Sequence, residues 1–288
     1  MKKIWTVLEM LHWGEEYFKD HKIDSPRLVM ELLLCDILNF KRIDLYLNYD
    51  RPLTKIELDK LHNYIILAVK SVPLQYILGK TQFMGLDLII DKRALIPRPE
   101  TEQLARIAIE FLENSKSEPI KLLDIGTGSG CLAISIAKHF KDTSRQYFVN
   151  AIDNSPESLK LAQENAEKYN LDNMEFNLVD ILIEDISLAK YDCIVSNPPY
   201  IPLNNYQSLD KQVREYEPKS ALTDFSDGLT FYKRFSEIAN TMQSNAMMVL
   251  EIEGENTEDI INLFKDFNFN IEIKKDFAGL DRIMILKK

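Results

Sequence analysis

Residues 122–130 read Leu122-Leu123-Asp124-Ile125-Gly126-Thr127-Gly128-Ser129-Gly130, an apolar strand running into a glycine turn, with a helical pattern beyond it to about His139. Glycines permit positive φ and let ligand atoms approach the backbone closely. The N-terminus of the next helix offers unpaired N–H groups to a carboxylate or phosphate. Tight packing of a strand on a helix uses the same turn, so taken alone it is only moderately specific.

Strand and helix patterns alternate downstream of this turn. Strands are expected at Tyr147–Ile152, Met174–Val179, Tyr191–Ser196 and Met247–Ile252, and helices from Pro156 to Tyr169, near 228–243 and near 257–266. Two final strands, near 269–274 and 282–287, have no helix between them. Alternation of this kind predicts an α/β fold, a Rossmann-like, mostly parallel sheet with helices on both faces and one antiparallel edge. Upstream, residues 100–113 have a helical pattern, and residues 82–96 alternate short apolar runs with Gly85 and Asp91, predicting a strand pair.

The first 70 residues are helical in pattern. Ile4, Val7, Leu8, Leu11 and Phe18 recur at helical spacing, and Val29, Leu32, Leu33 and Ile37 form a second apolar face. Ser25-Pro26 predicts a cap followed by proline at the first helical position, and Thr54 to Glu57 has capping-box spacing. The expected organisation is a helical-bundle domain over 1–72, a β-hairpin linker over 73–99 and a sheet domain over 100–288.

Composition narrows the classes. Hydrophobic content of 45% and a charged fraction of 28% suit a soluble globular chain. The apolar run Trp5–Leu11 is broken by Glu9, unlike a signal peptide, and no stretch approaches the roughly 20 apolar residues of a membrane span. A cytoplasmic monomer is expected. Net charge is −10 and uneven: residues 1–80 hold 12 Lys+Arg and 11 Asp+Glu, whereas residues 81–288 hold 23 and 34. An acidic sheet domain weighs against a nucleic-acid backbone as partner. Cys35, Cys131 and Cys193, and the four histidines, are scattered and apply to no metal-ligand spacing.

Two further strand ends carry chemistry. Asp153, ending the second strand of the alternating region, is placed to accept bonds from both ribose hydroxyls. A helix cap is its plainer reading, but Ser155 holds the better capping position ahead of Pro156. Glycine turn and Asp153 together point to a nucleoside. At the next strand end, Asp180 could bond an adenine amine and Ile181 cover the ring; a simple turn explains them nearly as well. Ser196-Asn197-Pro198-Pro199-Tyr200 follows the fourth strand on the same rim. Neither proline has an N–H, so sheet pairing stops there and the backbone is fixed. The Asn197 carboxamide oxygen and the Pro198 carbonyl oxygen can then hold both hydrogens of one NH2 group. Tyr200 could stack on a flat substrate.

Such acceptors serve a sluggish nucleophile. An amide nitrogen shares its lone pair with its carbonyl. Acceptors on both N–H bonds turn that lone pair toward a sulfonium methyl and stabilise the positive charge that develops in transfer. Adenine's exocyclic amine is planar and conjugated too. The motif alone therefore leaves a glutamine and an adenine-N6 methyltransferase both open, with a non-catalytic cofactor-binding protein as a third reading.

Other segments separate these readings. Pro73-Leu74-Gln75-Tyr76-Ile77-Leu78-Gly79 and Ile96-Pro97-Arg98-Pro99-Glu100-Thr101-Glu102 precede the glycine turn, and Tyr216-Glu217-Pro218, Ala221-Leu222, Asp227-Gly228-Leu229 and Asp276 through Asp281-Arg282 follow the Asn-Pro-Pro-Tyr motif. In this order, over nearly the whole chain, they resemble the release-factor glutamine methyltransferase family, HemK/PrmC; the segment 96–102 is the most specific part. The resemblance implies a class I S-adenosylmethionine-dependent enzyme that methylates N5 of the glutamine in a Gly-Gly-Gln loop of class 1 peptide chain release factors. It also implies cofactor contacts at Gly126, Thr127, Gly128, Ser129, Gly130, Asp153 and Asn197, with Ile181 less firmly among them, and a grip on the glutamine by Asn197, Pro198, Pro199 and Tyr200. Two departures, Met84 in Phe83-Met84-Gly85 and the acidic Glu251-Ile252-Glu253-Gly254, bear on local packing more than on the reaction. The connection 201–227 is expected to admit the glutamine loop, and the helical domain to contact the rest of the factor.

Overall fold

The computed structural model describes residues 4–288; the first three residues of the expected helical domain lie outside the described residues. The chain divides into two compact units, one of residues 1–79 with 211–216 and the other of 80–210 with 217–288.

In the first unit, α1 (Val7–Asp20) starts at Thr6, whose hydroxyl accepts from the Glu9 N–H while the Glu9 carboxylate accepts from the Thr6 N–H. The helix α2 (Pro26–Leu38) has proline in its first turn, but the expected Ser25 cap does not form. Ser25 sits in the left-handed region (φ 49°, ψ 52°), whereas a capping side chain needs extended backbone to reach back to the N–H groups. After α3 (Arg42–Leu47), α4 (Lys55–Val69) has the expected capping box between Thr54 and Glu57. The short α5 (Leu74–Leu78) ends at Gly79. Leu11, Phe18, Met30, Leu33 and Leu61 are buried in the common core.

The second unit opens with a hairpin of β1 (Lys80–Phe83) and β2 (Leu86–Ile89), joined by Met84 and Gly85, both at positive φ. Two such residues give the primed turn that fits the right-handed strand twist. The pair is shorter than the alternation over 82–96 predicts. Its end is fixed by the buried Asn165 carboxamide, which accepts from the Ile89 N–H and donates to the Ile89 carbonyl, so side-chain bonds replace the next ladder rung. The chain then runs irregularly through Pro97 and Pro99 to α6 (Thr101–Glu113).

Next follow β3 (Ile120–Ile125), α7 (Cys131–Asp142), β4 (Tyr147–Asp153), α8 (Pro156–Lys168), β5 (Met174–Leu178) and β6 (Cys193–Ser196). The connection 201–227 holds a 3-10 helix at Leu203–Ser208, α9 (Lys211–Tyr216) and a 3-10 turn at Lys219–Ala221. It is not a bare loop: short helices and the Ile201–Thr223 bridge satisfy its backbone groups. The chain closes with α10 (Thr230–Ala239), β7 (Met247–Glu251), α11 (Thr257–Leu263), β8 (Asn270–Lys275) and β9 (Asp281–Lys287).

The sheet order is β5-β4-β3-β6-β7-β9-β8. Pairs from β5 through β7 are parallel, while β9 is antiparallel to both β7 and β8, giving the Rossmann-like sheet with one antiparallel edge. Alternate residues of the central strands feed two cores, Leu122, Val195 and Val249 on one face and Leu123, Ile194 and Leu250 on the other. Phe140 of α7 is fully buried in the first. Phe140→Ala should lower unfolding free energy by about 3–5 kcal/mol through lost burial and a residual cavity, measured as a shifted urea midpoint at unchanged slope.

Candidate active site

Parallel pairing brings three strand ends together. The last rungs Ile125↔Ile152 and Ile125↔Ser196 align β3 with both neighbours, so the glycine turn, Asp153 and Asn197 emerge on one rim. One cavity opens there, and its lining includes Gly126, Thr127, Gly128, Ser129, Asp153, Asp180, Ile181, Asn197, Pro198 and Pro199.

The structure gives these residues different work. Gly130, at φ 81°, is the N-cap of α7 and does not line the cavity. A Cβ there would lie 2.6 Å from Ile134 Cδ1 and 3.1 Å from Ala162 Cβ, so this glycine is required by packing between α7 and α8. The Asp153 carboxylate accepts from the Gly128 N–H at 2.9 Å and from the Ser155 N–H at 2.9 Å. One backbone bond on each oxygen leaves acceptor capacity on both. Burial raises the Asp153 pKa, against the pull of those N–H groups. Ser155 caps α8, its hydroxyl accepting from the Ser158 N–H at 3.2 Å. Asp180 accepts from the Leu182 N–H, and Ile181 is buried with its carbonyl held by Arg234.

Asp124 lies under the turn, fully buried. Its Oδ2 accepts from the Thr127 hydroxyl at 2.7 Å and the Ala133 N–H at 3.2 Å, while Oδ1 has no partner. Burial pushes this carboxyl up to about 7, the Thr127 and Ala133 bonds opposing the shift.

In the Asn-Pro-Pro-Tyr motif, Asn197 Nδ2 donates to Thr101 Oγ1 at 3.2 Å, and the motif's last residue turns away from the cavity. The Tyr200 ring packs on the core formed with Tyr232 and Leu250, and its hydroxyl points to Glu251 Oε1 at 3.3 Å. The hydroxyl of this ring thus has a protein partner. Burial raises the Tyr200 hydroxyl above its ordinary range. Burial likewise raises Glu251, against the lowering pull of Thr101, Arg282 and Tyr200.

Several lining groups were not singled out by residue chemistry: the segment Arg93–Leu95, Thr101, Ser220 and Phe231. Thr101 lies inside the 96–102 segment, so order and resemblance flagged it without giving it a role. Phe231 sits in an ordinary amphipathic helix and carries no signal of its own. Among the described residues, no group of three or more His, Cys, Asp or Glu side chains could hold a metal, and no helix is long and apolar enough to cross a membrane.

Residues 9–79 match the PrmC N-terminal domain and residues 116–276 a methyltransferase domain. A release factor glutamine methyltransferase of Geobacter sulfurreducens is 34% identical over 98% of this chain and 96% of its own length. One of Bacillus subtilis is 36% identical over 96% of each. The chain belongs to the release factor glutamine methyltransferase family. Among solved structures, a methyltransferase of Pyrococcus furiosus aligns at TM-score 0.48 and 19% identity, over 70% of this chain and 88% of that one.

As a member of this family the protein is an S-adenosylmethionine-dependent methyltransferase, and its cavity suits that cofactor. Ser129, Cys131 and Leu132 at the α7 N-terminus line the cavity, and the helix end there suits a group that bears a carboxylate. Asp153 would hold ribose hydroxyls, and apolar Ile181 and Phe231 would flank a ring.

The raised Asp124 carboxyl yields a stability test. Its folded value, about 7, lies above the unfolded value near 3.8, so its contribution is full below the unfolded value and is lost as pH rises toward 7. Relative to wild type, Asp124→Asn should gain stability across that window by at most about 1.4 kcal/mol per pH unit. Urea unfolding of both proteins without cofactor, from pH 4 to pH 8, would show a constant difference if burial of this carboxyl had no such effect.

Proposed function

We propose that this protein methylates the side-chain amide nitrogen, N5, of the glutamine in a Gly-Gly-Gln loop of class 1 peptide chain release factors. The relatives are named for glutamine methylation of release factors and align over nearly the full length of this chain. The observation that carries the chemistry is the Asn197 carboxamide, whose nitrogen is committed to Thr101 while the residue lines the same cavity as the glycine turn. Its oxygen is the end left for a substrate N–H.

S-adenosylmethionine, when bound, supplies a methyl group activated on a sulfonium. The protein must make a poor nucleophile attack in line. Asn197 Oδ1 and the Pro198 carbonyl would accept the two N–H bonds of the glutamine amide, weakening its conjugation and stabilising charge as it grows on nitrogen. Fixed acceptors also hold the amide in one attitude, which replaces a diffusive search by orientation. Neither Pro198 nor Pro199 has an N–H, so the backbone at these two positions presents no donor that would compete for these oxygens. The connection 201–227 would admit the glutamine loop, and the helical unit would bind the rest of the factor.

The test is to incubate the protein with labelled cofactor and either purified release factor or DNA, and to locate the mass increase. Methyl on the Gly-Gly-Gln glutamine is expected; label on adenine, or on neither, overturns the reading. Asn197→Ala should lower turnover by at least about a hundredfold. Its cofactor affinity, followed by calorimetry, should stay within about threefold, a change of under 1 kcal/mol. Normal turnover in this variant would remove Asn197 from the proposed chemistry.

A further inference from the structure

Thr101 and Glu251 belong to neither the glycine turn nor the Asn-Pro-Pro-Tyr motif, yet a chain of hydrogen bonds joins them to Asn197. Asn197 Nδ2 lies 3.2 Å from Thr101 Oγ1, and Thr101 Oγ1 lies 2.6 Å from Glu251 Oε2. Both Thr101 and Glu251 are 1% exposed. We propose that Thr101 and Glu251 are positioning residues that decide which end of the Asn197 carboxamide faces the cavity. The proposal rests on the methyl-transfer reading above and adds to it two residues that touch no reacting atom.

A carboxamide has two ends of nearly equal shape and opposite hydrogen-bonding sense. Turned by half a revolution, Asn197 would present an NH2 group to the substrate's NH2 group, donor against donor. Something must forbid that rotamer. Thr101 has one hydroxyl hydrogen, and Glu251 Oε2 at 2.6 Å is its acceptor. That leaves Thr101 with lone pairs for its other neighbour. Only the nitrogen end of Asn197 satisfies them. Direction passes from carboxylate to hydroxyl to amide, and the Asn197 oxygen is left for the cavity.

The fold holds the far end of this chain in place. Ser196 pairs with Leu250, so Asn197 and Glu251 follow the same rung of the β6–β7 ladder on the same sheet face. That face carries α6, whose first residue is Thr101. The Glu251 backbone carbonyl accepts from the Tyr232 hydroxyl at 2.7 Å, and its second carboxylate oxygen faces the Tyr200 hydroxyl at 3.3 Å. The first and last residues of the motif thus both end on one buried carboxyl, Asn197 through Thr101 and Tyr200 directly. A tie whose whole purpose was to anchor α6 would have no need to include Asn197.

Thr101→Val removes the hydroxyl at constant shape, and Thr101→Ser keeps it. With release factor as substrate, Thr101→Val should lower kcat about tenfold or more, the worth of one buried hydrogen bond lost in the transition state. KM for the factor and Kd for S-adenosylmethionine should stay within about threefold, and Thr101→Ser should recover kcat to within about threefold, each a change of under 1 kcal/mol. Nitrogen–proton correlation spectra give a second reading: the Asn197 side-chain NH2 pair, identified by its loss in Asn197→Asp, should shift and exchange faster in Thr101→Val. An unmoved pair in Thr101→Val, a kcat within twofold of wild type, or a Thr101→Ser no better than Thr101→Val overturns the proposal. Should Thr101→Val not fold, Thr101→Ala carries the same comparison. The spectra need no methyl acceptor. If wild type left the release factor unmethylated, the function proposed above would fail while the spectra still decided the orientation of Asn197.

Discussion

The Ser196 hydroxyl donates to the Ile125 carbonyl at 2.7 Å, and the two residues are also partners in the last rung between β6 and β3. Gly126 follows the one and Asn197 follows the other, so this buried contact fixes the distance between the two halves of the site. A slip of one residue in either strand would turn every side chain of that strand to the opposite face and carry its end away from its partner. Register is well protected: β3 is central, flanked by β4 and β6, and its side chains enter cores on both faces. The chemistry is placed by the sheet and inherits its rigidity.

Three carboxyl groups, Asp124, Asp153 and Glu251, gather near this rim, and burial raises the pKa of each. Burying such groups opposes folding unless hydrogen bonds compensate. The compensation differs among them. Asp153 is held by two backbone N–H groups and keeps acceptor capacity; Asp124 keeps one oxygen with no partner; Glu251 has each oxygen matched to a hydroxyl. What separates Asp153 from Glu251 is place: Asp153 lines the cavity, where its spare acceptor capacity suits a ligand, whereas Glu251 lies outside the lining and ties two neighbouring hydroxyls together.

Much of this was legible in the sequence because it depends on local pattern. The strand–turn–helix at 122–139, the alternation that follows and the unbroken final strand pair each follow from apolar periodicity and glycine placement. The capping box at Thr54 could be read from two residues three apart; the failure of Ser25 could not, since a left-handed backbone at that residue is set by how the α1–α2 turn closes. Long-range partners were the other gap. Asn165 ending the hairpin from 76 residues away, Thr101 meeting Asn197 across 96 and Glu251 meeting Thr101 across 150 leave no mark on their neighbours in sequence. The third glycine was legible as necessary, but a missing Cβ looks the same in sequence whether ligand or helix occupies its space, and here α7 and α8 crowd it.

Tyr200 changes how the motif as a whole is understood. Its hydroxyl joins Glu251, its ring completes the core beneath the sheet end, and its backbone carbonyl lies so near Gly228 that a Cβ there would come within 2.4 Å. With φ of 84°, Gly228 is the residue type that this approach permits. Asp224 ties the same turn, accepting from the N–H groups of Ser226, Gly228 and Thr230. The chain leaving the motif is therefore clamped on both sides, by a buried carboxyl at the side chain and by a glycine turn at the backbone. Asn197 and Pro198 then sit between a strand end and an anchored tyrosine, with two prolines removing most of the remaining backbone freedom. An acceptor pair meant to act on a developing charge gains from being fixed before the substrate arrives, because no reorganisation remains to be done during transfer. On this view Tyr200 matters to the motif as an anchor, and its aromatic ring is chosen for the core it fills.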